Sequence, residues 1–475
     1  MSGHGPSRPA RKATRPYRRP APDPARRAAF DAITSVSARG AYANLVLPGL
    51  LRERGITGRD AAFATELTYG TLRHRGTLDA VVAACSSRPL ADVDPRVLDV
   101  LRLGAYQLLH MRVPAHAAVS ATVEVARVAV SDGPARFVNA VLRRVAERDE
   151  EGWLAEVAPP RAADPVGHLA VRYAHPEWIV RSFADALGDR DPTLDETARA
   201  LAADDAPAST HLVARPGRID RDTLAAESGG VAGPWSPYAV HLLGGDPADL
   251  APIRDNRASV QDEGSQLTAL ALAAAPLEGP DARWLDLCAG PGGKAGLLGA
   301  LAAQRGAHVD AVEQAEHRAD LVRRTVEGLP VTVHRADGRE VGTDPALPEG
   351  AFDRVLVDAP CTGLGALRRR PEARWRRQPS DVASLTKLQR ELLGAALRAV
   401  RPGGVVAYVV CSPHLAETRV QVADAVRRTG AEVLDVRDVL PEGIPELGPG
   451  PAVQLWPHRH GTDAMFVALL RRPAA

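Results

Sequence analysis

The sequence predicts three domains in series: an all-α front domain, a small α+β connector, and a C-terminal α/β domain on a doubly wound, mostly parallel sheet. Three observations predict this. From about Arg26 to Arg148, apolar residues recur at helical spacing with no strand-like alternation. From about Arg283 onward, short apolar runs alternate with helical segments, the pattern of a doubly wound sheet. The chain's 475 residues exceed what one core ordinarily organises.

Residues 1–25 are rich in Arg, Pro and Ala and have no apolar period, so they read as a disordered basic tail. Residues 26–150 read as the helical domain. Within it, Asp94 is a good N-cap and Pro95 suits a first helical turn. Val97, Leu101, Ala105 and Leu108 then share one face. Further helices fit at 118–130 and 135–146. Residues 149–165, with Pro-rich turns and acids, read as a linker. The α+β connector follows at 165–275, with a strand at 210–213 and a helix at 220–227. The α/β domain occupies 276–475. Its strands fit at 284–288, 307–312, 331–334, 353–358, 405–411 and 464–470, and its helices at 294–303, 315–327 and 384–400.

Bulk composition excludes several classes. No stretch of 18 apolar residues occurs, so a membrane span is not expected. The start lacks the apolar segment of a secretory signal. Four cysteines without a CxxC pair fit neither a disulfide scaffold nor a zinc ribbon, so no metal is expected and a reducing cytoplasm is. The net charge of +1 conceals segregation: residues 1–27 hold eight Lys/Arg and one Asp, and residues 368–377 hold six Arg and one Glu. Two basic segments on an otherwise acidic chain point to a polyanion or to solvated segments.

The chemistry gathers at strand exits. Cys361 follows Val355-Leu356-Val357-Asp358-Ala359-Pro360, and Cys411 follows Val405-Val406-Ala407-Tyr408-Val409-Val410. A third strand leads into Cys288-Ala289-Gly290-Pro291-Gly292-Gly293-Lys294. In one parallel sheet all three exits share the carboxyl edge, where such sheets bind ligands. The glycine turn opens a helix and lets a ligand approach backbone N–H groups. Glu313, ending the next strand, suits a ribose. Asp337 suits an adenine amino group or a local turn. Lys294 could meet a cofactor carboxylate or position a base. The segment holding Arg368, Arg369, Arg370, Arg374, Trp375, Arg376 and Arg377 contains Pro371 and is followed by Pro379, which make it a loop just beyond Cys361. Guanidinium groups there would neutralise phosphates, and the indole would stack a base.

The motifs Asp286 to Lys294, Asp358-Ala359-Pro360-Cys361 and Cys411-Ser412-Pro413 resemble those of the RNA 5-methylcytosine methyltransferases. Glu66 to Arg73 and Phe137 to Arg144 resemble the NusB-like RNA-binding module. Together they imply a NusB-like bundle joined to a Rossmann-like methyltransferase, the layout of bacterial 16S rRNA cytosine-C5 methyltransferases. The resemblance implies S-adenosylmethionine as cofactor, held by residues 288–294, Glu313, Asp337 and Asp358, and RNA as partner. A thiolate adding at carbon 6 of cytosine makes carbon 5 nucleophilic. Asp358 would assist at N3. Sequence physics leaves the order of the thiols open; the resemblance assigns attack to Cys411 and release to Cys361. Gly290, where alanine is frequent, is expected only to loosen its turn. The alternatives are a tRNA or 23S rRNA methyltransferase and a non-catalytic RNA-binding assembly factor.

Overall fold

A computed structural model describes residues 23–474; most of the predicted tail lies outside the described residues. The first helix, Pro24–Arg39, starts inside the stretch assigned to that tail. Asp23 caps it by accepting from the Arg26 N–H at 2.7 Å, and Pro24 takes the first turn. The same Asp-Pro device opens the helix Pro95–His110, where Asp94 accepts from Arg96. Val97, Leu101 and Ala105 are buried there in a core shared with helices Gly58–Arg73, Arg75–Cys85, Ala115–Ala129 and Asp132–Val145.

The expected linker is partly helical. Asp149 caps the helix Glu150–Val157, and the Trp153 indole donates to the Val145 carbonyl at 2.9 Å. Apolar burial of one indole against the front core outweighs the polar look of this stretch. Asp164-Pro165 opens another helix, Pro165–Arg172. After helices Glu177–Leu187 and Asp195–Asp205 comes a small antiparallel sheet, in the order β2-β3-β1-β4. Its strands are β1 (Thr210–Ala214), β2 (Val231–Ala232), β3 (Ala239–Leu242) and β4 (Ala258–Val260), with the helix Arg221–Ser228 between β1 and β2.

The C-terminal sheet comprises β5 (Arg283–Asp286), β6 (His308–Val312), β7 (Val331–His334), β8 (Phe352–Asp358), β9 (Val400–Val410), β10 (Glu432–Leu434), β11 (Val453–Gln454) and β12 (Phe466–Arg471). The order is β10-β12-β9-β8-β5-β6-β7, with β11 on β12. Strands β5 to β9 pair in parallel, whereas β12 runs antiparallel to β9. Both faces are covered, which is why β8 and β9 read as unbroken apolar runs. Leu356, Val405, Ala407 and Val409 face the helices Glu263–Ala274 and Gly293–Arg305. Val355, Val357, Val406 and Tyr408 face the helix Pro379–Ala399. That helix starts five residues before the predicted position. Pro379 opens it rather than breaking it, and Gln378 and Asp381 form a capping box.

Candidate active site

The chain leaves β5 for β6 and β7 on one side and returns to β8 and β9 on the other, so the strand order reverses at the β5/β8 boundary. Ligands bind at such a switch point. Asp358 ends β8 and Cys411 follows β9 directly. The Sγ atoms of Cys361 and Cys411 lie 3.4 Å apart. Lys294, in the first turn of the helix Gly293–Arg305, donates to Asp358 Oδ2 at 2.8 Å. The edge thus gathers two thiols, an ammonium and a carboxylate.

Their electrostatics separate the two sulfurs. The hydrogen bond from Cys361 lowers Cys411 from the ordinary thiol value, against burial, and the Lys294 ammonium lowers it further. The Cys361 thiol is raised well above that value, first by the same bond to Cys411, then by burial and the charges of Cys411 and Glu417. The two directions oppose each other, favouring the proton on Cys361 and the thiolate form on Cys411. Burial disfavours the Lys294 ammonium, but Asp358 outweighs it and keeps the amine charged. Cys288 is raised well above the ordinary thiol value by burial, then by Asp286 and Asp358, and is a neutral thiol.

Two residues in this region escaped the sequence reading. Asp286 is fully buried, and its Oδ2 has no hydrogen-bond partner. Burial, then Asp358, pushes its carboxyl up to about 7. An acid ending an apolar strand beside the glycine turn was the available signal. Glu417 is also fully buried. It accepts from the Thr362 N–H at 2.8 Å, the Thr362 hydroxyl at 2.5 Å, Ser412 Oγ at 2.6 Å and Gln389 Nε2 at 3.0 Å. Nothing in the sequence marked it. The Gly365 N–H also donates to the Cys411 carbonyl at 2.9 Å.

Glu313 and Asp337 stand at the exits of β6 and β7. Glu313 accepts from the Ala315 N–H at 2.9 Å and lies 3.4 Å from Arg318 Nε. Asp337 caps the turn at 338–340 and grips Arg339. Gly290 does more than loosen its turn. A Cβ there would stand 2.1 Å from Glu313 Oε2 and 2.8 Å from Arg318 Nε. The missing side chain lets this acid and its arginine close onto the turn, where Arg318 donates to the Gly290 carbonyl at 2.5 Å.

The arginine segment requires a correction. Six of its seven expected RNA contacts are committed within the protein. Arg368 and Arg369 each bridge Asp262 and Asp463, at 2.8–3.0 Å. Arg374 is fully buried; it pairs with Asp205 at 2.7 Å and donates to the Arg73 and Asp204 carbonyls at 2.9 Å each. Trp375 packs on Gly76, where a Cβ would meet its ring at 2.7 Å, and on the Arg75 guanidinium. Arg376 donates to the Val36 and Ala41 carbonyls, and Arg377 to Thr362. Desolvated guanidinium groups need fixed acceptors, and the fold supplies them from distant segments. Arg370 alone stays exposed. It lies over Tyr42, which is 44% exposed and also sits under Arg376.

Sheet order, switch-point crevice and acid-lined glycine turn define a nucleotide-cofactor methyltransferase. Comparison with known proteins carries this to a family. Residues 271–471 match the family described as 16S rRNA methyltransferase RsmB/F, and residues 23–147 match the NusB family. The chain is 60% identical to the putative methyltransferase Rv1407 of Mycobacterium tuberculosis, over 96% of this chain and 98% of that one. It is 30% identical to the probable ribosomal RNA small subunit methyltransferase B of Bacillus subtilis, over 94% and 98%. Among solved structures, the crystal structure of PH0851 superposes with a TM-score of 0.77 at 20% identity, over 94% of this chain and 98% of that one. The chain belongs to the RsmB/F family of rRNA methyltransferases, with a NusB-family domain in front.

The cofactor of this family is S-adenosylmethionine, and RNA is the partner. The residues present fit the cofactor. Its ammonium, ribose hydroxyls and adenine amine are donors, and the crevice offers acceptors at successive strand exits. The orphaned Oδ2 of Asp286 is one of them. No helix among the described residues is long and apolar enough to cross a membrane.

Proposed function

We propose that this protein methylates carbon 5 of a cytosine in 16S rRNA, of the cytosine 967 class, in the cytoplasm and through a covalent Cys411 adduct. The observation that carries this reading is the 3.4 Å pair of unlike sulfurs beside the Lys294–Asp358 ion pair. Residues 288–294, Glu313, Asp337, Asp358 and Asp286 would hold the cofactor. When bound, it would supply an electrophilic methyl group for carbon 5 to take, its own sulfur leaving as a neutral thioether. The Cys411 thiolate, steadied by Lys294, forms a bond to carbon 6, and the ring π electrons move toward carbon 5. A proton shared between Lys294 and Asp358 passes to N3 and neutralises charge building on the ring. Once Cys411 is a thioether, Cys361 loses both the bond and the neighbouring charge that held its proton. It can then give that proton to solvent and take the proton on carbon 5. The carbon 5–carbon 6 double bond re-forms, the carbon–sulfur bond breaks, Cys411 leaves as a thiolate, and N3 returns its proton.

RNA contact outside the crevice falls to Arg370 with Tyr42, at the seam between the front helices and the segment beyond Cys361. The target base must leave its stack to reach the sulfurs. The decisive experiment supplies labelled methyl donor with unmodified 16S rRNA and maps the methylated nucleotide. Cys411→Ser should abolish turnover, and Cys361→Ala should accumulate a covalent RNA adduct visible as a shifted band on a denaturing gel. Full activity of Cys411→Ser would overturn the mechanism. Methylation of tRNA or 23S rRNA instead would overturn the substrate assignment.

A further inference from the structure

We infer that Glu417 is a positioning residue that holds the two thiols in register and decides which of them attacks; this rests on the cysteine chemistry proposed above. Its carboxylate joins the residue after each cysteine. Through Thr362 it holds the Cys361 loop at two points, the backbone N–H and the hydroxyl, and through Ser412 it holds the residue after Cys411. The two hydroxyls also lie 3.1 Å apart. Gln389 extends the tie to the residue before Cys361, donating to Glu417 at 3.0 Å and to the Pro360 carbonyl at 2.9 Å. The Tyr408 phenol anchors the backbone by donating to the Glu417 carbonyl at 2.7 Å. One buried group thus fixes both loops from below while their sulfurs meet above.

A buried carboxylate costs free energy unless every lone pair is used. A neutral side chain would satisfy a purely structural need at lower cost, so the charge calls for a reason. The charged and titratable groups facing the sulfurs are Lys294, Asp358, Asp463, Glu417 and the Tyr408 phenol. Glu417 acts on Cys361, and Lys294 acts on Cys411. The Glu417 anion raises Cys361 and the Lys294 cation lowers Cys411, so both add to the asymmetry of the pair. Both charges favour the proton on Cys361 and the thiolate on Cys411.

Glu417→Gln tests this, because it keeps a side chain of similar shape and removes the charge. Alkylation of the full-length protein by iodoacetamide, mapped by peptide mass across pH 6–10, needs no RNA. Wild type should label Cys411 first. The variant should lose about tenfold of that preference and shift the acid limb of its kcat–pH profile by about one unit. The KM for S-adenosylmethionine and the melting transition should stay as in wild type. If Glu417→Gln does not accumulate folded, Thr362→Val and Ser412→Ala carry the test: each cuts one tether and should lower kcat without changing that KM. Wild-type labelling preference and pH profile in Glu417→Gln, or wild-type kcat in both tether variants, would overturn the inference. Cys411→Ser run alongside separates the two claims: if it keeps turnover, the cysteine mechanism fails rather than the role of Glu417.

Discussion

Arg374→Ala should unfold the seam between the domains without touching RNA recognition. The side chain is fully buried, pairs with Asp205 at 2.7 Å and satisfies the carbonyls of Arg73 and Asp204. Removing one partner of such a pair leaves a buried charge uncompensated, at a cost of about 3–5 kcal/mol. The loss should depend on pH. Burial pushes Asp204 up to about 8 and Asp205 up to about 6, with Arg374 opposing both shifts. Folded values above the ordinary carboxyl range mean that the folded protein binds more protons than the unfolded chain between about pH 4 and 8. Stability therefore falls as pH rises through that window. Without Arg374 both acids rise further, the slope steepens, and the penalty is largest above pH 8 and smaller near pH 5.5. Guanidinium unfolding followed by tryptophan fluorescence at pH 8.5 and 5.5 measures both effects. Arg370→Ala is the control and should stay within about 0.5 kcal/mol of wild type, as exposed substitutions do. Wild-type stability of Arg374→Ala at both pH values, with its RNA salt dependence reduced by about one ion, would refute the buried clamp and restore an RNA contact.

Three further outcomes follow from the site. Lys294→Met removes the cation beside Cys411 and Asp358, so turnover should fall at least ~10²-fold and iodoacetamide labelling of Cys411 should need higher pH. Tyr42→Ala with Arg370→Ala should weaken RNA binding in a filter assay and lower the salt slope by about one, with the melting transition unchanged. Diamide, a thiol oxidant, should join Cys361 to Cys411 and stop turnover until dithiothreitol is added; Cys361→Ala should form no such crosslink by mass spectrometry.

The strand-exit cluster of Cys361, Cys411, Lys294 and Asp358 was legible in the sequence because its signals are local. An apolar run buried on both faces, followed at once by Asp-Ala-Pro-Cys or Cys-Ser-Pro, carries its own address. The arginine segment misled because its signal is not local. Its acidic partners lie 106, 94 and 169 residues away for the Arg368–Asp262, Arg369–Asp463 and Arg374–Asp205 pairs. A charge run reads as solvated or RNA-facing until folding brings those acids against it. Asp23-Pro24 and Asp164-Pro165 repeat the signal recognised at Asp94-Pro95, but a polar context hid the helices they open.

The order of the thiols lay deeper still. Cys361 and Cys411 each leave an equivalent strand exit, and neither flanking sequence makes one the better nucleophile. Their difference arises first from the bond between them, to which the Lys294 cation at Cys411 and the Glu417 anion at Cys361 add. On the proposed mechanism, moving those two charges should weaken the preference between the cysteines. A protein with both thiols intact but the charges removed should keep its 3.4 Å contact and lose part of its labelling preference for Cys411.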